Sequence, residues 1–267
     1  MSDPGRMRGH NEDYLGHAAP ESIDDIQQRG WLFAVADGVG GQELGEVASR
    51  TAVETVVTGF NAAPLSEGHT ALLARLVHAA NVKVYETGRA TGPGGTAMAT
   101  TLVTCALRYD RLTVAHVGDS RCYLIRHGHA TALTRDHTVV NDQVRLGVMS
   151  SREAAKAETR HILSRSLGVD LFVSVDTSEH RVMAGDVVLL CSDGLHGAVS
   201  GAEIARAASH AVNHETAAGN LADAARTLIQ LANEHDGSDN VSVLLIRIKH
   251  VERVGMYRGR PYKLRGT

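Results

Sequence analysis

Four aspartates stand where a run of apolar, strand-forming residues meets a polar turn. They are Asp37, Asp119, Asp193 and Asp239, and the first three have a glycine alongside that lets another backbone approach closely. A carboxylate at the mouth of a buried strand is costly to desolvate unless a positive charge meets it. Oxygen ligands suit hard cations such as Mg²⁺ and Mn²⁺, and not zinc. The pattern therefore predicts a site for hard divalent cations at one end of a sheet.

Other chemistries are less well supported by the sequence. Taken singly, each aspartate also fits a turn residue at a strand end. The 15 histidines show no H-E-x-x-H pattern, and no apolar strand ends in the D-x-D-x-T pattern of aspartyl-phosphate phosphatases. Neither His161 nor Cys191 offers a covalent route. The three cysteines, without a C-x-x-C pair, predict reduced core thiols in a cytosolic protein: Cys105, Cys122 and Cys191.

The composition narrows the class of protein. A chain of 267 residues with 43% hydrophobic residues is long enough for one large domain with a buried core. A formal net charge of −3 and an aromatic share of 4% argue against nucleic-acid binding. No apolar run approaches the roughly 20 residues that cross a bilayer, and no secretory leader is recognisable. We therefore expect a cytoplasmic protein without a membrane partner.

The elements that must position these aspartates follow from apolar periodicity. Residues 31–36 predict a buried strand, 43–60 and 69–90 predict amphipathic helices, and 97–135 predicts strands joined by hairpins. Further elements are predicted as helices near 139–146 and 151–157, strands at 171–183 and 186–192, helices at 202–213 and 216–234, and a strand at 241–248. Strands segregated from helix pairs indicate an α+β fold in one domain, 1–248, followed by a basic, flexible tail, 249–267.

Five short motifs occur in an order that is typical of one family. They are Arg8-Gly9-His10-Asn11-Glu12-Asp13, Asp37-Gly38-x-Gly40-Gly41, Gly118-Asp119-Ser120-Arg121, Ser192-Asp193-Gly194 and Asp239-Asn240. Each motif is weak alone, but together they resemble the metal-dependent serine/threonine protein phosphatases of type 2C, in their bacterial form. The resemblance spans nearly the whole chain. It implies an α-β-β-α sandwich of two antiparallel sheets flanked by helix pairs.

The resemblance also implies a role for each motif residue. Asp37 would bridge two Mn²⁺ or Mg²⁺ ions, and the carbonyl of Gly38 would hold the second ion. Asp193 and Asp239 would ligate the first ion, and Asp119 with Asp193 would offer a third site. Glu12 and Asp13 would hold metal-bound waters. Arg8 would bind the phosphoryl oxygens. By the same resemblance Arg8, Asp37, Asp193 and Asp239 carry the catalysis.

The chemistry is consistent with these residue types. Two ions roughly 3.5–4 Å apart lower the pKa of a bridging water and neutralise charge during in-line displacement. Arginine presents a planar fork that fits phosphate oxygens. The expected reaction is hydrolysis of phosphoserine and phosphothreonine in proteins by a monomer that opposes a serine/threonine kinase. The alternatives are a partner-specific regulator phosphatase, such as an anti-sigma-factor antagonist, and a pseudophosphatase that binds without turnover.

The chain departs from the family at two places. Val39 stands where animal-type members have a histidine proposed as the general acid, so a metal-bound water or His10 would protonate the leaving group. Only seven residues precede Arg8, too few for the family's fuller first strand, so either an unpaired sheet edge or a numbering that starts late is expected. Residues 138–168 take the place of the family's flap near the active site, which includes Arg160 and the stretch 165–168.

Five further residues have structural interpretations. Ser120 and Arg121 are expected to stabilise the Asp119 loop. Asp136-His137 also matches a position of the family, but the plainer expectation is that Asp136 caps the following helix. Gly40 and Gly41 have an alternative interpretation as a tight turn before the helix predicted at 43–60.

Overall fold

The computed structural model describes residues 1–39, 44–91, 98–213, 219–252, 254–257 and 260–263. Two antiparallel sheets form the centre of the fold. The first contains β2 to β6 and β9: Asp13–Ala18, Trp31–Val39, Ala99–Thr100, Leu102–Arg108, Arg111–Val117 and Asp176–Arg181. The second contains β1, β7, β8, β10 and β11: Ser2–Asp3, Arg121–Arg126, His129–Ala132, Val187–Cys191 and Val241–Arg247.

Helices cover the outer face of each sheet. The described helices are α1 to α8: Ile23–Gln28, Gly45–Ala62, His69–Ala90, Val139–Arg145, Ser151–Ala154, Asp193–His196, Gly201–Asn213 and Gly219–His235. A single 3-10 turn spans Glu158–His161. Helices α2 and α3 pack on the first sheet, and α7 and α8 pack on the second. The predicted α-β-β-α sandwich is therefore confirmed.

Strand β3 shows why the sandwich forms. Its alternate residues Leu32, Ala34 and Ala36 belong to the core under α2 and α3. Val35 points the other way and joins the core between the sheets, where it meets residues of the second sheet such as Leu190. Because successive side chains of a strand point to opposite faces, a strand that is apolar at every position is buried on both. The run from Trp31 has this character.

The flap segment, residues 138–168, leaves the sandwich between β8 and β9. Its two ends are held together by an isolated bridge between Thr138 and Leu163 and by the amide of Val139, which donates to the carbonyl of Ile162 at 2.9 Å. At its end, Gly168 donates to the buried side chain of Asn81 on α3 at 2.9 Å. The flap segment is therefore closed at its base and tied to the first half of the fold.

Several predictions differ from the structure. The strand expected at 171–183 begins only at Asp176, because the amide of Asn81 binds the carbonyls of Asp170 and Leu171. Strand β2 and helices α1 and α6 were not predicted. The expected unpaired edge is also wrong, since β1 pairs with β11 and the amino group of Met1 donates to the carbonyl of Val243 at 2.7 Å.

The last residues also carry secondary structure. Val254–Tyr257 and Arg260–Lys263 pair as an antiparallel hairpin, β12 and β13, although a flexible tail was expected. None of the described helices combines the length and the apolar character that a membrane span requires.

Candidate active site

A cleft of 240 Å³ opens where the two sheets end, and the predicted site residues line it. They are Arg8, Glu12, Asp37, Gly38, Asp119, Asp193 and Asp239. The remaining one, Asp13, is buried beside them and pairs across the strands with Asp37. The structure thus brings together every residue that the sequence predicted for the site.

Each carboxylate comes from a different element. Asp13 begins β2 and Asp37 lies near the end of β3, so the first sheet contributes both. Asp193 begins α6 directly after β10, and Asp239 precedes β11, so these two come from the second sheet. Asp119 lies on the connection from β6 to β7, where the chain passes from one sheet to the other. The site therefore depends on correct stacking of both sheets.

Two threonines fix the backbone of Asp37. The hydroxyl of Thr101 accepts a hydrogen bond from the amide of Asp37 at 3.0 Å, and the hydroxyl of Thr100 donates to its carbonyl at 2.7 Å. Thr101 also shares a 2.7 Å hydrogen bond with Ser120, beside Asp119. Ser120 therefore stabilises the Asp119 loop, as the sequence led us to expect.

Glycine is required at two positions in the site because backbone approaches closely. A Cβ at Gly38 would lie 2.4 Å from the carbonyl oxygen of Gly45, at the start of α2. A Cβ at Gly194 would lie 2.1 Å from the carbonyl oxygen of Asn240. Real Cβ atoms do not approach so closely, so any side chain at either position would displace a strand or helix that carries a site carboxylate.

Burial and mutual repulsion raise the pKa values of the clustered carboxyls. Burial, followed by the neighbouring carboxylates, raises the pKa of Asp37 well above its usual range. Burial raises the pKa of Asp119 to about 8 and that of Asp13 to about 7. Burial and the charge of Asp239 likewise raise the pKa of Asp193. Such a set of anions is stable in its charged form only if positive charge is added among them.

Asp13 provides a direct test of whether a cation fits. Its Oδ2 accepts a 2.7 Å hydrogen bond from the hydroxyl of Ser192, but its Oδ1 is buried and has no hydrogen-bond partner among the described residues. A buried carboxylate oxygen without a partner is costly. A hydrated cation would satisfy it, and the donor set is all oxygen, as Mn²⁺ and Mg²⁺ prefer. The residues present therefore fit divalent cations.

The loop that carries Arg8 and Glu12 is held by one buried asparagine. The side chain of Asn240 accepts from the amide of Glu12 at 2.8 Å and donates to the carbonyls of Pro4 and His10 at 2.9 and 3.0 Å. The sequence placed Asn240 in a motif without a role, and it gave no role to Thr101 or Ser192. For two of them the sequence offered only their position as a sign of a role, because Asn240 follows Asp239 and Ser192 precedes Asp193.

A second cavity of 390 Å³ adjoins the cleft, and Asp119, Asp193 and His161 line both. The flap segment forms its other wall. Here Arg121 donates two hydrogen bonds to Asp136 at 2.7 and 2.6 Å, so Arg121 stabilises the Asp119 loop as predicted. The predicted helix cap at Asp136 is wrong, because Thr138 caps α4 and Asp136 is engaged by the arginine.

A histidine other than the predicted one lines the cleft. His161, at the end of the 3-10 turn, lies on the cleft wall together with Leu163. His10 is exposed, and it forms no part of the cleft wall among the described residues. Val39 also lines the cleft, whereas Gly40 and Gly41 lie outside the described residues.

One further group of ligand-type side chains lies outside the cleft. His116, His137 and Asp176 place three such atoms within 4.8 Å of one another. The guanidinium of Arg165 already lies 2.9 Å from Asp176 and 3.3 Å from Nε2 of His137. The positive charge that a metal would bring is therefore supplied by an arginine. A two-ion centre, by contrast, spreads its ligands over both ions and does not need such a tight group.

Comparison with known proteins places the site in context. A family model described as Protein phosphatase 2C matches residues 10–233. The serine/threonine phosphatase stp of Listeria innocua is 33% identical over 264 residues, which cover 97% of this chain and 96% of that protein. The Mycobacterium tuberculosis serine/threonine phosphatase PstP/Ppp has a TM-score of 0.79 at 32% identity, over 94% of this chain and 97% of that one. The catalytic domain of PstP in complex with two manganese ions has a TM-score of 0.74 at 33% identity, over 92% and 94%.

Proposed function

Because the chain belongs to the protein phosphatase 2C family, we propose that it hydrolyses phosphoserine and phosphothreonine in proteins with two Mn²⁺ or Mg²⁺ ions. The observation that carries this proposal is the convergence of five aspartates from both sheets on one cleft, four of them with raised pKa values. Arg8 is the one basic side chain bound to these aspartates among the described residues, and a carboxylate cluster with so little counter-charge opposes folding, which supports a function that uses cations.

The residues present suggest how the ions would be held. Asp37 would bridge them, with the Gly38 carbonyl on the second ion. Asp193 and Asp239 would hold the first ion, and Asp119 would offer a third position together with Asp193. When bound, the ions would lower the pKa of water and neutralise the phosphoryl oxygens.

The protein's own groups orient these ligands. Thr100 and Thr101 hold the backbone of Asp37, and Ser192 holds one oxygen of Asp13, leaving the other free to accept from a water molecule. Glu12 would accept from water in the same way, since it lines the cleft. Its backbone is fixed by Asn240 and by the hydroxyl of Ser49, which donates to its carbonyl at 2.6 Å.

Arg8 would bind the phosphoryl group. Its guanidinium lies at the cleft, half-exposed, and one of its nitrogens binds Asp239 at 3.0 Å. Its other donors have no hydrogen-bond partner among the described residues, and the planar fork of a guanidinium matches the geometry of phosphate oxygens. Because the guanidinium does not lose its proton, it would bind phosphate over the whole working pH range.

We further infer the setting in which the enzyme works. Its partners would be phosphoproteins, with a serine/threonine kinase as the opposing activity, and it would act as a monomer. The three cysteines are all buried and free, which supports a reducing compartment such as the cytoplasm.

One assay tests the proposal. Hydrolysis of a phosphothreonine peptide and of a small aryl phosphate is measured with Mn²⁺, Mg²⁺, Ca²⁺ and a chelator, with Asp37→Asn as the control for contaminating phosphatases. We expect turnover of both substrates with Mn²⁺ or Mg²⁺, none with the chelator, and none in the variant. Metal-independent hydrolysis, or an inactive wild type that binds phosphopeptide, would overturn the proposal, and the latter result would identify a pseudophosphatase.

A further inference from the structure

One residue, His137, contacts both the loop of Asp119 and the base of the flap segment. Its backbone amide donates to the carbonyl of Gly118 at 2.9 Å, and its own carbonyl accepts from the amide of Ser164 at 2.9 Å. Gly118 adjoins a predicted metal ligand, and Ser164 lies at the returning end of the flap segment. A single buried residue therefore joins the two structures by its main chain alone.

The imidazole of His137 repeats this connection through its side chain. Nδ1 accepts a 3.2 Å hydrogen bond from the amide of Gly118. A neutral imidazole that accepts at Nδ1 carries its proton on Nε2. That nitrogen lies 3.2 Å from Oδ2 of Asp176, which can accept its hydrogen bond, and 3.3 Å from Nη1 of Arg165, which can only donate and so makes no hydrogen bond to the protonated nitrogen. The ring is thus fixed in one tautomer, with one arm on the Asp119 loop and the other on Asp176.

Asp176 carries the second arm onward to the flap segment. Its Oδ1 accepts from the guanidinium of Arg165 at 2.9 Å, and Arg165 follows Ser164 directly. His116 stacks on the His137 ring with centroids 4.6 Å apart, and its Nε2 donates to the carbonyl of Arg135 at 2.8 Å. The imidazole of His137 is only 1% exposed. The ring has no room to turn away without breaking contacts on both sides.

The connection matters because both of its ends line the cleft. Asp119 lines the catalytic cleft and the adjoining 390 Å³ cavity. From the flap segment, His161 lines both spaces and Leu163 lines the cleft. A phosphorylated side chain in the cleft would therefore have the Asp119 loop on one side and the flap segment on the other. Their separation sets the width of the space for the substrate chain.

We propose that His137 is a positioning residue, which together with Asp176 and Arg165 holds the flap segment at a fixed distance from the Asp119 loop and so favours binding of phosphoprotein over small phosphates. This inference rests on the proposed function. It assigns to His137 a mechanical role, with no proton transfer and no metal ligation.

Two variants of His137 separate its arms. In His137→Asn the amide oxygen stands at the place of Nδ1 and can still accept from Gly118, but the arm to Asp176 is lost. In His137→Gln the amide reaches the place of Nε2 and can still donate to Asp176, but the acceptor for Gly118 is lost. If His137 contributed only to general stability, the two variants would accelerate exchange of the same amides.

Amide hydrogen exchange, followed by NMR in the presence of a chelator, measures the effect of losing each of the two His137 contacts in the absence of metal and substrate. In His137→Asn we expect the amides of Val139 and Ser164 to exchange about five-fold faster, the factor of one lost hydrogen bond, with Gly118 unchanged. In His137→Gln we expect the reverse pattern. Equal acceleration of all three amides in both variants, or none in either, would overturn the proposal.

Two more variants test the flap arm with a matched control. Arg165→Met and Arg126→Met each remove an arginine bound to an aspartate, and the two side chains are 24% and 30% exposed. Arg126 binds Asp186 at the far end of β7, about 17 Å along the strand from the Asp119 loop. Only Arg165→Met should accelerate Val139 and Ser164. The same acceleration in Arg126→Met would show that loss of any ion pair suffices.

Kinetics then tests the consequence for substrate choice. For Asp176→Asn and His137→Asn we expect the KM for a phosphothreonine peptide to rise about five-fold, with a smaller change for an aryl phosphate that is too small to span both walls. Parallel changes for both substrates would overturn the proposed preference. A wild type inactive on both would refute the proposed function, and the exchange pattern would still decide whether His137 couples the two walls.

Discussion

Arg8 and Asp239 lie 231 residues apart in the chain, yet Nη2 of the arginine donates to Oδ2 of the aspartate at 3.0 Å. Their side chains are 47% and 38% exposed, and an ion pair so exposed contributes at most about 1 kcal/mol to stability. The pair therefore does not hold the termini of the domain together. It places a guanidinium directly beside a predicted metal ligand, where a phosphoryl group would lie.

Arg8→Ala should therefore impair substrate binding without unfolding the protein. We expect the KM for phosphopeptide to rise about tenfold, since a charge-assisted hydrogen bond to phosphate is lost, with unfolding free energy within about 1 kcal/mol of wild type. Steady-state kinetics and chemical denaturation measure the two quantities. The control is Arg50→Ala, which breaks a similarly exposed pair with Glu46; neither residue of that pair lines the cleft. An unchanged KM would show that Arg8 has no phosphate role.

Removing one ligand carboxylate should abolish activity while leaving the fold intact. For Asp37→Asn, Asp193→Asn and Asp239→Asn we expect a loss of at least about 10³-fold in kcat on an aryl phosphate, because positioned electrostatic groups carry most of such catalysis. We expect the manganese-induced rise in Tm to shrink in parallel. Thermal unfolding with and without Mn²⁺ provides this second measurement.

The control for these variants is Asp223→Asn, an exposed aspartate on α8 paired only with Arg226 among the described residues. It should retain full activity and the full response to manganese. If Asp37→Asn, Asp193→Asn or Asp239→Asn also retained wild-type activity, the assignment of that aspartate as a ligand would be wrong.

The metal-free protein should lose stability as the pH rises above about 6.5. The pKa values of Asp13 and Asp119 are raised to about 7 and about 8, from ordinary values near 4. Burial lowers the pKa of His69, His137 and His196 to about 4, so these groups make the free energy of unfolding rise with pH up to the ordinary histidine pKa of about 6.5. Above that pH the carboxyls dominate: the unfolded chain has released protons that the folded chain retains, so the free energy of unfolding falls as the pH rises. We expect a fall of at least about 1 kcal/mol, or about 2–4 °C in Tm, from about pH 6.5 to 8 in chelator.

Added Mn²⁺ should reverse this trend, because the cation binds the ionised carboxylates and not the protonated ones. Asp119→Asn should flatten the metal-free profile above about pH 6.5, since it removes one of these titrations. A metal-free profile that rises from about pH 6.5 to 8, with the same slope in Asp119→Asn, would show that these carboxyls are not strained by burial.

Much of the sandwich could be predicted because its main elements have strong local signals. Helix α3 was predicted with its observed bounds, and β3 is apolar at nearly every position. Strand β2 was missed because its segment, DYLGHA, has no clear alternation. Its Gly16 packs against Val53 of α2, where a Cβ would lie 2.4 Å from the valine side chain. The close packing of Gly16 depends on a helix residue 37 positions later in the chain, so no local sequence pattern indicates the strand.

The site shows the same limit. The carboxylates could be found because each lies in a recognisable motif, but their supports could not be assigned. Asp136 follows the local rule for a helix cap, and only the folded chain shows that Arg121, at the start of β7, binds it instead. Thr101 and Ser192 act on the backbone of Asp37 and the carboxylate of Asp13, partners that are distant in sequence.

We expect Asn240 to be as important for the site as the carboxylates, although it takes no direct part in the proposed reaction. It is buried, and its amide makes three hydrogen bonds to the loop that carries Arg8 and Glu12. Asn240→Ala should cost about 2–3 kcal/mol of unfolding free energy in chelator, because several buried backbone groups lose their partners. Asn240→Asp, nearly identical in shape, should lower the unfolding free energy at least as much, since a carboxylate would face two carbonyl oxygens beside Asp239.

Asn233→Ala is the matched control. Its side-chain amide makes a single hydrogen bond among the described residues, to Asp3, so a loss of about 1 kcal/mol of unfolding free energy is expected. In Asn240→Ala the KM for phosphopeptide should also rise, as in Arg8→Ala, because the loop that presents the guanidinium is released. A stable Asn240→Asp with normal kinetics would show that the loop is held by other contacts.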